Sequence, residues 1–217
     1  MEDVISNGAE CKDVAVIFAR GTFDSGNMGV WVGPQFQAAL QSQINSLAFQ
    51  GVDASAYPAT LNSYLAEGGS DSGAQSLADT VTAYVGACPD SNVIIAGWSQ
   101  GALVAHKGLS SARFGHTCIG GTTLDPLCSN LPEDFVFPTS LADISGPFKQ
   151  LPGLASGAAE TSRRRLLASR SAFVAALTDK SKLQRLLLTP EHFTYGNNGL
   201  TTSAANFVAG LPAVAGK

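Results

Sequence analysis

The chain has 217 residues, 45% of them hydrophobic and 14% charged, which excludes a disordered protein and allows one well-buried domain. The formal net charge of −4 gives no reason to expect a nucleic-acid partner. Because no apolar run is long enough to span a bilayer, the sequence predicts no transmembrane segment.

The first half of the chain alternates predicted strands with predicted helices. A near-continuous apolar run over Asp13–Ala19 predicts a strand buried on both faces. A helix is predicted over Val32–Leu47, a second strand over Val52–Tyr57, a second helix over Ser76–Val85 and a third strand over Val93–Ala96. This alternation predicts an α/β fold, a three-layer sandwich with a central, mainly parallel sheet and helices on both faces.

The second half of the chain has a less regular pattern. One weak strand is predicted around Thr117–Leu124, and a loop rich in Pro, Gly, Ser and Ala over Leu131–Ala159. Glu160–Leu188 has a helical pattern with a basic face, and a last short helix is predicted over Asn206–Leu211. The basic segment is interpreted either as a lid that meets lipid or as a helix pair packed on the domain.

A five-residue motif, Gly97-Trp98-Ser99-Gln100-Gly101, follows the third predicted strand and precedes a helical stretch. In this setting G-x-S-x-G is typical of a nucleophile elbow, a strained turn that presents the central serine above a sheet. Ser99 is therefore the predicted nucleophile. The alternative is a tight turn whose serine only caps the following helix.

A serine nucleophile needs a histidine base, and the chain has three histidines. His106 falls within the predicted elbow helix, which directs it away from Ser99. His116 lies in a segment of unclear placement. His192 lies on a late loop before the last helix, as the order Ser, acid, His requires, and is the predicted base.

The acid that orients the base must lie between Ser99 and His192. Asp125 is favoured because Cys118 and Cys128 flank it, and a disulfide closing that loop would hold its carboxylate in place. Asp134 and Asp143 are the main alternatives. The other candidates that qualify by order are Glu133, Glu160 and Asp179.

An oxyanion hole needs two backbone donors beside the nucleophile. The first is the N–H of Gln100, at the start of the elbow helix. The second is the N–H of Thr22, in the Gly-rich loop after the first strand, and its hydroxyl can add a further hydrogen bond. The alternative is that this loop is only a Gly-rich turn.

The chain contains four cysteines, Cys11, Cys88, Cys118 and Cys128, which fit two disulfides in any of three pairings. None of them forms a C-x-x-C arrangement, so the sequence predicts no metal site. Four reduced core thiols are the alternative. Met1-Glu2-Asp3 carries neither a basic nor an apolar leader region, so no signal peptide is expected in this chain.

Together these segments resemble the cutinase family. The matching stretches are Ala19-Arg20-Gly21-Thr22, Val32-Gly33-Pro34, Cys88-Pro89, Gly97 to Ala102, Asp125-Pro126-Leu127-Cys128 and His192-Phe193-Thr194-Tyr195. The chain departs from the family pattern between Asp125 and His192, which are separated by 66 residues. We therefore expect a single cutinase-like α/β-hydrolase domain over residues 1–217, with a loop and helical insertion over about 131–189 before the histidine.

The resemblance implies disulfides Cys11–Cys88 and Cys118–Cys128, a secreted protein, and no metal or cofactor. It also implies hydrolysis of carboxylic esters, either a cutin-like polyester or short-to-medium acyl esters, through a Ser-His-Asp triad and an acyl-enzyme. The expected partner is an ester substrate at a polyester or lipid surface. The protein is expected to be a monomer. A lipase, an acetyl esterase of carbohydrates, and an inactive relative that binds lipid or cell-wall polymer are the alternatives.

Overall fold

A parallel sheet of three strands forms the centre of the part of the chain that the structure, a computed structural model, describes (residues 10–112 and 190–217). The strands are β1 (Val14–Ala19), β2 (Leu47–Gly51) and β3 (Asn92–Gly97), in the order β2-β1-β3. Because β1 lies between two neighbours and is buried along its whole length, it is apolar at every position. Because both neighbours are parallel to β1, all three strands end at the same edge of the sheet.

Helices follow each of these strands along the chain. They are α1 (Gly33–Gln41), α2 (Asp71–Ala87), α3 (Gln100–Ala112) and α4 (Leu200–Ala209), with a short π-helix at Ser63–Glu67 and a 3₁₀ turn at Pro190–Phe193. Residues 10–112 and 194–217 belong to one compact unit, and residues 190–193 belong to a second.

Side chains of β1 alternate between the two faces of the sheet. Ile17 joins a buried apolar cluster that includes Leu77 of α2 and Val104 of α3. Phe18 points to the opposite face, where its ring lies 6.4 Å from that of Phe36 in α1 and 5.7 Å from that of Phe49 in β2. The sheet thus has helices on both faces, which confirms the α/β prediction.

The prediction for the second strand was wrong. Helix α1 ends at Gln41, where the amides of Gln43 and Ile44 both donate to the carbonyl of Leu40. The chain then enters β2 at Leu47, so the predicted strand over 52–57 is a turn instead. Apolar residues at 44 and 47 fit helical spacing equally well, and only pairing with β1 shows that residue 47 begins a strand.

The second and last helices also differ in their bounds from the prediction. Helix α2 begins at Asp71, earlier than expected, because the hydroxyl of Ser70 accepts the Gly73 N–H at 3.0 Å and caps it. Helix α4 begins at Leu200 and ends at Ala209, ahead of the predicted span. Both helices exist as predicted, and their ends are the part that a pattern of apolar residues locates least well.

A disulfide joins Cys11, which precedes β1, to Cys88 at the end of α2. Nearby, the amide of Asn92 donates to the carbonyl of Asp13 at 2.8 Å. These contacts fasten the starts of β1 and β3 to each other. No described helix is long and apolar enough to cross a membrane. The predicted strand at 117–124, the segments 131–159 and 160–188, and the pair Cys118–Cys128 lie outside the described residues.

Candidate active site

The tight turn between β3 and α3 holds Ser99 in a left-handed backbone conformation, with φ of +59°. This conformation costs a residue with a Cβ about 1–2 kcal/mol. The turn closes at once into the helix, because the amide of Ala102 donates to the Ser99 carbonyl at 3.0 Å. The serine side chain is half-buried. These are the features that G-x-S-x-G predicts for an elbow.

Two glycines let the elbow approach its neighbours. A Cβ on Gly101 would overlap the carbonyl of Ala19 at the end of β1. A Cβ on Gly21 would lie 2.5 Å from the ring of Trp98 and 3.3 Å from the Cβ of Ser99. The loop that follows β1 therefore lies directly against the elbow, as the sequence predicts for a second oxyanion donor.

Gln100 connects this loop to the elbow through its side chain, which is fully buried. Its Nε2 donates to the Thr22 hydroxyl oxygen and to the Thr60 carbonyl, both at 2.9 Å. Since the Thr22 hydroxyl accepts from Gln100, its own proton is directed to another acceptor. The backbone N–H of Gln100 lies in the first turn of α3, where it has no partner within the helix. The two residues that carry the predicted oxyanion donors are thus bonded to each other beside the elbow.

Arg20 and Tyr57 lie behind the Thr22 loop, and both are buried. The Arg20 guanidinium donates to the carbonyls of Asp24, at 2.8 Å, and of Tyr57, at 2.6 Å. The Tyr57 hydroxyl in turn donates to the Arg20 carbonyl at 2.8 Å. Desolvation lowers the pKa of Arg20 and raises that of Tyr57, because burial disfavours both charged forms.

Asp24 shapes the outer part of the same loop. One of its carboxylate oxygens accepts the backbone N–H of Val30 at 2.7 Å and that of Ser25 at 3.1 Å. Burial raises the pKa of the Asp24 carboxyl, while these hydrogen bonds and the positive charge of Arg20 oppose the rise. The carboxylate therefore stabilises the turn of the loop over residues 24–30.

His192 lies in the 3₁₀ turn and is buried, with 1% of its surface exposed. Its ring meets that of Phe193 edge to face, with centroids 5.5 Å apart. His192 belongs to the second compact unit and Ser99 to the first. His106 lies exposed on α3, as expected of a histidine outside the site.

Asp125, its alternatives Asp134 and Asp143, and His116 lie outside the described residues. The structure thus brings together Ser99, Gln100 and Thr22 among the predicted site residues. Sequence reasoning missed the side-chain role of Gln100 and the contribution of Tyr57. The arginine of Ala19-Arg20-Gly21-Thr22 was a visible signal, because an arginine that ends a buried strand needs a buried acceptor.

Comparisons with known proteins agree with this architecture. A family model described as Cutinase matches residues 10–211. A cutinase of Botryotinia fuckeliana is 45% identical over 99 residues, which are 45% of this chain and 47% of that protein. Cutinase 4 of Emericella nidulans is 39% identical over 131 residues, or 60% of this chain and 56% of that protein. The matched part thus spans about half the length of these curated relatives.

A solved structure, Trichoderma reesei cutinase in complex with a C11Y4 phosphonate inhibitor, is similar to this chain with a TM-score of 0.53 and 26% identity. The likeness covers 94% of this chain and 77% of that one. Since the family model matches most of the chain and the fold agrees, the chain belongs to the cutinase family, whose members are ester-hydrolysing serine hydrolases.

Proposed function

We propose that this protein is a secreted serine esterase that hydrolyses carboxylic esters, either a cutin-like polyester or short-to-medium acyl esters. The observation that carries the proposal is the left-handed turn at Ser99, with the donors of Gln100 and Thr22 fixed beside it. A strained serine flanked by preorganised donors is suited to acyl transfer, because negative charge develops on the carbonyl oxygen in the transition state. Membership of the cutinase family supports the same reaction class.

In the proposed mechanism the Ser99 oxygen attacks the ester carbonyl carbon while His192 accepts the serine proton. Asp125 orients His192 and stabilises the imidazolium. The Thr22 and Gln100 amides bind the oxyanion of the tetrahedral intermediate. His192 then gives its proton to the leaving alcohol, and an acyl-enzyme remains on Ser99. A water molecule repeats the attack and releases the carboxylic acid.

We further propose that the protein works outside the cell as a monomer, without a metal or cofactor and without a nucleic-acid partner. The disulfide Cys11–Cys88 supports an extracellular location, because such bonds persist in oxidising compartments. Family membership supports a substrate presented at a polyester or lipid surface.

Hydrolysis of p-nitrophenyl butyrate by the full chain tests the proposal. The comparison is with Ser99→Ala, and Ser42→Ala is a matched control because its exposed hydroxyl donates only to the nearby Ala39 carbonyl. Activity lost in Ser99→Ala and retained in Ser42→Ala is the expected result. If the wild type is no faster than Ser99→Ala, the protein is not an esterase of this kind.

Phosphonate labelling separates an enzyme from an inactive relative that binds lipid or cell-wall polymer. A phosphonate ester reacts with an activated serine, and the similar Trichoderma reesei protein was solved with a phosphonate inhibitor. We expect a mass increase of one phosphonyl group, located on Ser99 by peptide mapping and absent in Ser99→Ala. A binding protein would remain unlabelled.

The acyl preference of the pocket separates the three kinds of esterase, because the fold and motifs are shared among them. A series of p-nitrophenyl esters from acetate to palmitate, followed by emulsified triglyceride and acetylated xylan, ranks them by kcat/KM. We expect a maximum at short-to-medium chains. A maximum at long chains would indicate a lipase, and activity on acetylated xylan alone would indicate an acetyl esterase.

A further inference from the structure

Arg20 and Tyr57 bind each other reciprocally. The Arg20 side chain donates to the main-chain carbonyl of Tyr57 at 2.6 Å, and the Tyr57 side chain donates to the main-chain carbonyl of Arg20 at 2.8 Å. The guanidinium carbon also lies 4.9 Å from the centre of the Tyr57 ring. Each residue therefore fixes the backbone of the other, although 37 positions separate them in sequence.

Two other carbonyls of the segment 57–60 accept hydrogen bonds from residues around the candidate oxyanion hole. The amide of Phe23 donates to the Ala59 carbonyl at 3.0 Å. The Gln100 side chain donates to the Thr60 carbonyl at 2.9 Å. Three carbonyls of the 57–60 segment thus hold both sides of the hole, the Thr22 loop and the start of α3.

Two features favour a single arrangement of the contacts between Arg20, Tyr57 and residues 57–60. Tyr57 has no exposed surface and Arg20 only 2%, so loss of either partner would leave a buried polar group without water to replace it. Ala59 is buried too and has a left-handed φ of +47°, which the contacts on both sides must maintain. The positions of the oxyanion donors therefore depend on groups that touch no substrate.

We propose that Tyr57 and Arg20 are positioning residues of the oxyanion hole, which hold the Thr22 loop at the distance from Ser99 that the transition state requires. The inference rests on the proposed function of Thr22 and Gln100. Arg20 lies two residues before Thr22, so a shift of its backbone is passed directly to the Thr22 N–H. The ground-state ester does not require such accurate donor placement, so the effect falls on kcat.

The test compares Tyr57→Phe with Tyr84→Phe in the full chain. Both tyrosines are fully buried, and both hydroxyls bond a main-chain group, the carbonyl of Arg20 for Tyr57 and the N–H of Lys12 for Tyr84. Lys12 precedes β1, whereas Arg20 follows it at the site. Tyr84→Phe thus removes the same atom from an equally buried ring at the opposite end of the strand, although the Tyr84 hydroxyl accepts its bond, at 3.4 Å, whereas that of Tyr57 donates.

We measure the kcat and KM for p-nitrophenyl butyrate, the rate of phosphonate labelling, the pH profile of kcat/KM and the thermal midpoint. For Tyr57→Phe we expect kcat and the labelling rate to fall about tenfold. This is the loss of transition-state stabilisation that corresponds to one hydrogen bond. KM and the acidic limb of the pH profile, which reports the base, should stay unchanged. Tyr84→Phe should lower the thermal midpoint only.

Equal loss of kcat in both variants, or an unchanged kcat in Tyr57→Phe, would overturn the inference. Should Tyr57→Phe fail to fold, Arg20→Lys carries the test, because it keeps the positive charge but loses the planar fork that reaches two carbonyls. Failure of the proposed function gives a different result: the wild type itself would then be inactive and unlabelled. An active, labelled wild type with normal kcat in both site variants would reject only the positioning role.

Discussion

The side chains of Gln100 and Thr22 are hydrogen-bonded across 78 positions of sequence, through Gln100 Nε2 and the Thr22 hydroxyl oxygen at 2.9 Å. Because the threonine oxygen accepts this bond, its proton is free to be donated in one main direction. In the proposed oxyanion hole Gln100 thus has two roles, as a backbone donor and as the group that orients the Thr22 hydroxyl. Because this contact joins protein groups alone, the proposed donors are placed before a substrate binds, which is the condition for effective transition-state stabilisation.

We expect Thr22→Val to reduce kcat for p-nitrophenyl butyrate by about a hundredfold, since valine keeps the shape and the backbone N–H but removes one donor to the oxyanion. Thr22→Ser, which retains the hydroxyl, should keep most of the activity. Steady-state kinetics of both variants make the comparison. A valine variant as active as the wild type would mean that the hydroxyl takes no part in the hole.

The free energy of unfolding of Ser99→Gly should exceed that of Ser99→Ala by about 1 kcal/mol, because glycine adopts a positive φ without the steric cost that a Cβ imposes. Both variants lack the nucleophile and should be inactive. Urea unfolding of the two proteins, followed by circular dichroism, gives the difference. Equal stabilities would show that the +59° turn stores no strain.

Replacing Cys11 and Cys88 together by serine should lower the free energy of unfolding by about 2–4 kcal/mol, since the disulfide closes a long loop in the unfolded chain. The specific activity at low temperature should be unchanged, because Cys11 precedes β1 whereas Ser99 follows the far end of β3. Denaturant titration and an esterase assay on the same samples test both parts. A loss of kcat in the folded variant would contradict this separation.

Asp24→Asn should change how stability depends on pH. Burial raises the pKa of the Asp24 carboxyl, so the folded protein holds that proton more tightly than the unfolded chain. The carboxyl therefore contributes stability at low pH that is lost as the pH rises from 3.8 through the raised value. Asparagine keeps an acceptor for the amides of Val30 and Ser25 and does not titrate.

The free energy of unfolding of Asp24→Asn, minus that of the wild type, should accordingly increase as the pH rises through this window. Urea titrations at a series of pH values from acid to neutral measure this difference. Asp79→Asn, which removes an exposed carboxyl on α2, is the matched control for the loss of one negative charge. A difference that falls with pH would mean that Arg20 outweighs the burial of the carboxyl.

The elements around the site could be predicted to different degrees. The strand Val14–Ala19 was predicted to within one residue, as Asp13–Ala19, because a strand buried on both faces is apolar at every position. The strand Leu47–Gly51 was misplaced, because Ile44 and Leu47 continue the spacing of the preceding helix. A short strand at the edge of the described sheet has a weak pattern of its own, and its pairing with β1 decides its place.

The elbow at Ser99 follows from the local sequence, because glycines at 97 and 101 permit a turn that no bulkier residues would allow. The pairing of Cys11 with Cys88 was implied by the resemblance to the cutinases, since four cysteines alone permit three pairings, and the structure confirms it. The contacts of Arg20, Tyr57 and Gln100 required the fold. These join residues far apart in sequence, and they form because three parallel strands in the order β2-β1-β3 bring their carboxyl ends to a single edge.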